Sequence, residues 1–422
     1  MYNLKKGDDI VSKKIRVGLV GVGRGSILWK YCKEAVNAEL VAICDKWEQG
    51  LEKAKEKIGD DRITYYTDFE EFIKHDMDAV FLANYATEHA PFAIKAMEAG
   101  KDVISEVLPV QTMAQAVELI ECSERTGRKY CYSENYCYMA GPLEMRRRYQ
   151  NGDLGEFEYG EGEYMHNCEY IWHSITQGNP KHWRNNMSAF YYCTHSAGPL
   201  LHITGLRPVK VVGIEGAFNS RMARMGAKAG NMALEIVTLE NGGIFKSVHG
   251  VGPSKDSIWY TVYGSKGRLE IAREDAKAGN VVYANLDEIE GVSNTEVNAY
   301  IPVNGFEDEI ANYGHGGSDY ICLWNAFEHL LGNPANTVSL YEAIDMWMIG
   351  FFGYLSVLNG GAPESIPNLR LKEDRELYRN DRRCTDPEVA GDQLIPSYSM
   401  GNPDIAPEIY EATRKKWEED IK

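Results

Sequence analysis

The stretch "KIRVGLVGVGRGSILWKYCKEAVNAELVAICD", residues 14–45, decides the fold. It opens on a short apolar run that ends in glycines at 21, 23 and 25, and "SILWKYCKEAVN" follows with helical spacing. "AELVAICD" is a second apolar run of strand length, closed by Asp45. Strand, glycine turn, helix and strand make a βαβ unit, whose two strands run parallel. The alternation continues: "AVFLAN" and "KDVISE" read as strands, and "HAPFAIKAMEAG" between them as a helix with Pro near its start and Gly at its stop. Thr112 and Gln115 have the spacing of a capping box for the next helix, and "KYCYSEN" closes the series. This predicts an α/β fold, a doubly wound parallel sheet over residues 14–138.

Beyond residue 138 the rhythm changes. "FEYGEGEY", "VKVVGIEG", "ALEIVTLENGGIFKSVHG" and "IWYTVYGSKGRLEIA" are β-rich, and "ENGG" and "GSKG" are hairpin turns. Two helices follow: "SDYICLWNAFEHLLG", stopping at Gly332, and "SLYEAIDMWMIGFFGYLSVLNGG", opening on the Ser339-x-x-Glu342 capping spacing. Residues 139–364 thus read as an α+β domain with a large, mostly antiparallel sheet. Residues 365–422 are polar and weakly periodic, and read as a C-terminal extension that wraps its own or a neighbouring subunit.

Composition limits the functions open to such a chain. Its 422 residues include 62 Asp+Glu against 45 Lys+Arg, a net charge of −17 that repels nucleic acid. Nine scattered cysteines without a CxxC pair fit a reducing, cytoplasmic setting. The first residues, "MYNLKKGDDIVSKK", are polar and show no signal-peptide core, and the longest apolar run, "MWMIGFFGYLSVL", is too short to span a bilayer. No membrane partner is expected.

The glycine turn is where a dinucleotide would bind. Gly21, Gly23 and Gly25 (GxGxG, the third one place early) with Arg24 between them allow a pyrophosphate to approach backbone N–H groups at a helix start. Asp45, 24 residues after Gly21, has the spacing of the carboxylate that binds an adenine ribose, which favours NAD over NADP. Asn84, His89 and Glu106 follow the third and fourth strands, at the carboxyl edge of the sheet where ligands bind. The bland alternatives are that His89 caps its helix and Glu106 caps its loop.

Together these residues carry a resemblance. The glycine turn, Asp45, the "AN…H…P" of the third strand and a Glu-x-x-Pro after the fourth resemble the Gfo/Idh/MocA oxidoreductases, over about residues 14–365. Dehydrogenases of that family carry Glu-Lys-Pro and an aspartate four residues before the catalytic histidine. Here those places read Glu106-Val107-Leu108-Pro109 and Tyr191. "SENYCYM" (Glu134, Asn135, Tyr138), "GEYMH" (Tyr164, His166), "YYCTH" (Tyr192, His195), "GHGGSDY" (His315, Asp319) and "IPNL" are more similar to the NAD-dependent glycosidases of the α-N-acetylgalactosaminidase type. One departure is Cys193, where that branch reads proline in Tyr-Pro-Thr-His.

That branch implies NAD as cofactor, Asn135 among the cofactor-site residues, and a substrate pocket lined by His195, Tyr192, Tyr164 and Glu134. The implied reaction is hydrolysis of a small-molecule glycoside through transient oxidation at C3, loss of the C2 proton, elimination at C1, water addition and re-reduction, outside the two-carboxylate mechanism. It also implies a homo-dimer or homo-tetramer. Two competitors remain open, a sugar or glycoside 3-dehydrogenase with net oxidation and a non-catalytic dinucleotide-binding sensor. His166, His173, His182, His195 and His202 crowd one stretch but lack the spacing of a metal motif, so no metal is expected.

Overall fold

The computed structural model describes residues 13–273, 281–288, 296–311 and 313–421. The polar N-terminal stretch up to residue 12 lies outside them. The chain divides into two compact units: Met1–Gln111 with Gln115–Met139 and Val303–Ala343, and Thr112–Ala114 with Ala140–Pro302 and Ile344–Lys422.

In the first unit, strands β1 (Ile15–Val20), β2 (Ala38–Cys44), β3 (Thr64–Tyr66), β4 (Ala79–Leu82), β5 (Asp102–Ser105) and β6 (Tyr130–Tyr132) form one sheet. Its order is β6-β5-β4-β1-β2-β3, and every pair among these strands is parallel. Val17, Leu19, Ile43, Val80, Phe81 and Ile104 are fully buried, as expected of parallel strands covered on both faces. The strand order reverses at β1 and β4, and the glycine turn lies at that switch point. Val338–Ser339 adds a short antiparallel edge strand beside β6, so the sheet is not wholly parallel.

The Ser318–Leu331 helix also belongs to this unit although it follows the second sheet in sequence. Phe327 stacks on Tyr31 at 5.5 Å between ring centroids, and Asn37 donates to Glu328 at 2.8 Å. The helix ends on Gly332 at φ +88°, where a side chain would be strained. At the start of the crossover from β5 to β6, the Gln115 oxygen accepts from the backbone N–H of Gln111, one residue ahead of the position that the capping-box spacing implied.

The second unit is built on β7 (Phe157–Met165), β8 (Pro208–Glu215), β9 (Ala233–Leu239), β10 (Ile244–Gly250), β11 (Ser257–Gly264), β12 (Gly267–Ile271), β13 (Val282–Leu286) and β14 (Asn298–Tyr300). The sheet order is β14-β13-β12-β11-β7-β10-β9-β8, extended by Glu364–Ser365 beside β8. Only β7 and β10 pair in parallel. The hairpins fall where "ENGG" and "GSKG" predicted them. One face is covered by helices, among them Cys193–Thr204. That helix comes so close that a Cβ on Gly162 of β7 would stand 1.9 Å from the Ser196 carbonyl oxygen. The opposite face leaves Ile214, Ile236, Ile244 and Tyr263 exposed.

The C-terminal extension packs on this same unit. Tyr410, in the Pro407–Asp420 helix, donates to the Gly226 carbonyl at 2.9 Å, and Tyr354 donates to Pro396 at 2.6 Å. Among the described residues no helix is long and apolar enough to cross a membrane.

Candidate active site

In the first unit each glycine of the turn has its own physical reason. Gly21 has φ +94°, and a Cβ there would lie 2.6 Å from the Ala83 carbonyl oxygen. A Cβ on Gly25 would lie 2.1 Å from the Gly21 oxygen and 2.4 Å from Leu19. Gly23 is different: a Cβ there meets nothing within 4 Å, so its smallness serves open space. Asp45 accepts from the backbone N–H groups of Val22 (2.8 Å) and Trp47 (2.9 Å) and so ties the end of β2 to the turn.

At the carboxyl end of β4, Asn84 donates to Glu88 at 2.9 Å, while its own Oδ1 is buried with no hydrogen-bond partner among the described residues. An open glycine face and an orphaned acceptor beside it are what a bound dinucleotide would complete. His89 does not cap its helix. It lies inside Ala86–Glu98, is 1% exposed, and shares a 2.8 Å hydrogen bond with the Leu108 carbonyl. Burial pushes its imidazole down to about 4, so it is neutral. This places it behind the loop after β5, in a supporting position.

Arg24 and Glu106 meet directly: the guanidinium donates to Glu106 at 2.8 Å and to both oxygens of Asp319 at 2.7 and 3.1 Å. Asp319 also accepts from Asn135 at 3.0 Å and pairs with His315 Nδ1 at 3.0 Å. Burial would raise its carboxyl, but the His315 and Arg24 hydrogen bonds prevail and hold it well below the usual carboxylate range. The "GHGGSDY" segment, to which the sequence assigned no role, therefore supplies the anchor of the arginine in the glycine turn. Glu134 is fully buried and accepts from the Tyr136 N–H at 3.3 Å, capping the short turn Asn135–Tyr138.

In the second unit Tyr164, Tyr192 and His195 come together. The Tyr164 and His195 rings are 4.6 Å apart, edge to face, and Tyr192 lies 6.3 Å from Tyr164 and 5.7 Å from His195. Tyr164 stands near the end of β7, whereas Tyr192 ends the turn Ala189–Tyr192 and holds the N-cap position of the Cys193–Thr204 helix without a side-chain capping bond. The Arg184 guanidinium lies 5.1 Å from the Tyr192 ring centroid. His166, quoted in the sequence only as part of a motif, meets the Tyr164 hydroxyl at 3.0 Å through Nδ1. A narrow crevice opens beside Tyr192, lined by Arg184, Ser188, Met222 and Asn231.

Tyr191, standing where dehydrogenases of this type carry aspartate, bonds to Thr385 of the C-terminal extension, and burial pushes its phenol well up. It cannot replace the missing acid. The remaining histidines have separate partners: His173 pairs with Asp420 at 2.6 Å, and His182 accepts from the Arg184 N–H at 3.2 Å. Among the described residues no three His, Cys, Asp or Glu side chains converge as a metal site.

Comparison with known proteins bears on the fold and the cofactor. Residues 15–134 match the model of the oxidoreductase family with an NAD-binding Rossmann fold, Gfo/Idh/MocA. The match covers the NAD-binding part of the chain, and the protein is an NAD-dependent enzyme whose cofactor is NAD. Along most of its length its relatives are more narrowly named. It is 26% identical over 409 residues to glycosyl hydrolase family 109 protein 1 of Bacteroides thetaiotaomicron, covering 84% of each chain. It is 25% identical over 402 residues to the family 109 protein of Porphyromonas gingivalis, again covering 84% of each. In fold it is similar to an aldose-aldose oxidoreductase from Caulobacter crescentus, with TM-score 0.67 at 19% identity over 84% of this chain and 100% of that one.

Proposed function

We propose that the protein is a carbohydrate-active enzyme that uses NAD to hydrolyse a small-molecule glycoside. The observation that carries this reading is the cluster of His195, Tyr164 and Tyr192 in a chain that lacks the lysine and aspartate of the family's dehydrogenases. The family 109 names of its relatives support it.

Gly21, Gly23, Arg24, Gly25, Asp45, Asn84, Glu106 and Asn135 are the residues proposed to hold NAD, with His89 supporting the loop at Leu108. Bound NAD supplies oxidation at sugar C3 and its later reversal. His195 takes the proton of the C3 hydroxyl and returns it at the end. A carbonyl at C3 makes the C2 proton acidic, and a tyrosine serves as its base. Tyr164 suits that part because His166, 3.0 Å from its hydroxyl, is ready to accept the phenolic proton. Tyr192 flanks both rings and orients the sugar, and Glu134 is assigned to a substrate hydroxyl. The exposed face of the second sheet is proposed as the contact of a homo-dimer or homo-tetramer. Nine free cysteines suit a cytoplasmic location.

The test is incubation of the purified protein with aryl glycosides, in parallel samples without and with added NAD. Aglycone release without accumulation of NADH supports the reading. NADH formed in step with substrate loss would establish a net dehydrogenase instead. Binding without any turnover would establish a sensor.

A further inference from the structure

Behind His195, on the inner face of the second sheet, lies a polar cluster that this chemistry does not use. Glu235 of β9 and Ser247 and His249 of β10 are each 0% exposed, as is Ser196 in the Cys193–Thr204 helix. Ser247 stands directly across the ladder from Glu235, and His249 is in register with Tyr164 of β7. The Ser196 hydroxyl meets the Ser247 hydroxyl at 2.8 Å and His249 Nδ1 at 3.3 Å. His249 Nδ1 is 3.5 Å from a Glu235 oxygen. The Ser247 hydroxyl is the hydrogen-bonding neighbour of the Glu235 carboxyl, and the Ala189 backbone that of His249.

Burying three polar side chains under a helix that itself contributes Ser196 is costly unless they are hydrogen-bonded. What they touch is the turn that carries His195. The neighbouring Ser196 is held by Ser247 and His249, and the His195 carbonyl accepts from the Tyr260 hydroxyl. The missing side chain of Gly162 lets that turn lie against β7. The imidazole of His195 therefore has little freedom apart from its own side-chain rotations.

We propose that Glu235 and His249 are positioning residues for His195, acting through Ser247 and Ser196 to fix the helix turn that carries its imidazole. This rests on the assignment of His195 to proton transfer. Burial of the Glu235 carboxyl pushes it up to about 8 and burial of His249 pushes it down to about 3. The two groups thus hold a single proton over the neutral range, and the cluster presents no net charge to His195. The neighbouring His195 also lowers the His249 imidazole.

The experiment is a double-mutant cycle read on His195 itself, in the full chain with isotope-labelled histidine. The His195 imidazole signal is identified by its loss in His195→Ala, and its titration midpoint is measured in wild type, Ser196→Ala, Glu235→Gln and the double variant. Leu200→Ala, a fully buried change in the same helix, is the control for simple loss of stability. The expected result is a shift of about half a pH unit in Ser196→Ala and in Glu235→Gln, no further shift when the two are combined, and no shift in Leu200→Ala. Midpoints unchanged in both single variants, or shifts that merely add, would overturn the proposal. These readings do not depend on turnover, so a failure of the glycosidase assignment would show separately in the aglycone assay.

Discussion

His195 is the residue proposed to carry the chemistry, by elimination and by company. The lysine and aspartate that would assist alcohol oxidation are absent, and the nearest rings are two tyrosines. Replacing it with Ala should lower turnover by about a thousand-fold, the scale of a lost general base, while NAD affinity measured by calorimetry stays at the wild-type value. Asp319 is the residue that sequence alone could not rank, because its partner Arg24 is remote in the chain and only the fold brings them to 2.7 Å. Asp319→Ala should destabilise the protein by about 3 kcal/mol in denaturant unfolding, as expected when one member of a buried ion pair is removed. Its stabilisation is present above the ordinary carboxylate range and is lost as pH falls below it. The Glu235–His249 pair behaves differently. His249, lowered from 6.5 to about 3, makes stability fall as pH drops below 6.5, and Glu235, raised from 4.5 to about 8, makes it fall as pH rises from 4.5 towards 8. Glu235→Gln should therefore gain on wild type in melting temperature as pH rises through that second window.

The elements show where local pattern sufficed and where it misled. The βαβ series and both hairpins were legible because each rests on nearest neighbours: apolar runs, glycine turns and helix stops. Strand β9 shows the opposite. In "ALEIVTL" the apolar Leu234 and Ile236 invite an inward reading, yet Ala233, Glu235, Val237 and Leu239 face the core and Ile236 is 40% exposed. The helix above and the partner strands set that register, and neither is visible in seven residues. The glycine turn gives a prediction at this scale. Gly25→Ala should cost about 1–3 kcal/mol because its Cβ would strike the Gly21 oxygen. Gly23→Ala, facing open space, should leave stability within about 0.5 kcal/mol but weaken NAD binding. Unfolding and calorimetry on the pair separate the two effects.

At the scale of the whole molecule, the proposal assigns cofactor binding to the glycine turn of the first unit and proton transfer to the His–Tyr cluster of the second. The open face of the second sheet, with Ile214, Ile236 and Ile244 exposed, is the proposed subunit contact. Ile236→Lys combined with Ile214→Lys should reduce the mass found by light scattering to that of one chain, and an unchanged mass would place the contact elsewhere. How many copies assemble was not legible in the sequence, because an apolar strand face reads alike whether a helix or another chain covers it. The central claim is that redox chemistry at C3 opens and closes within each hydrolytic turnover. Its most direct measurement is hydrolysis of an aryl glycoside in D₂O without added NAD, followed by analysis of the released sugar. The account predicts deuterium at C2 in the product and no accumulation of NADH. Free sugar released without deuterium at C2 would contradict it.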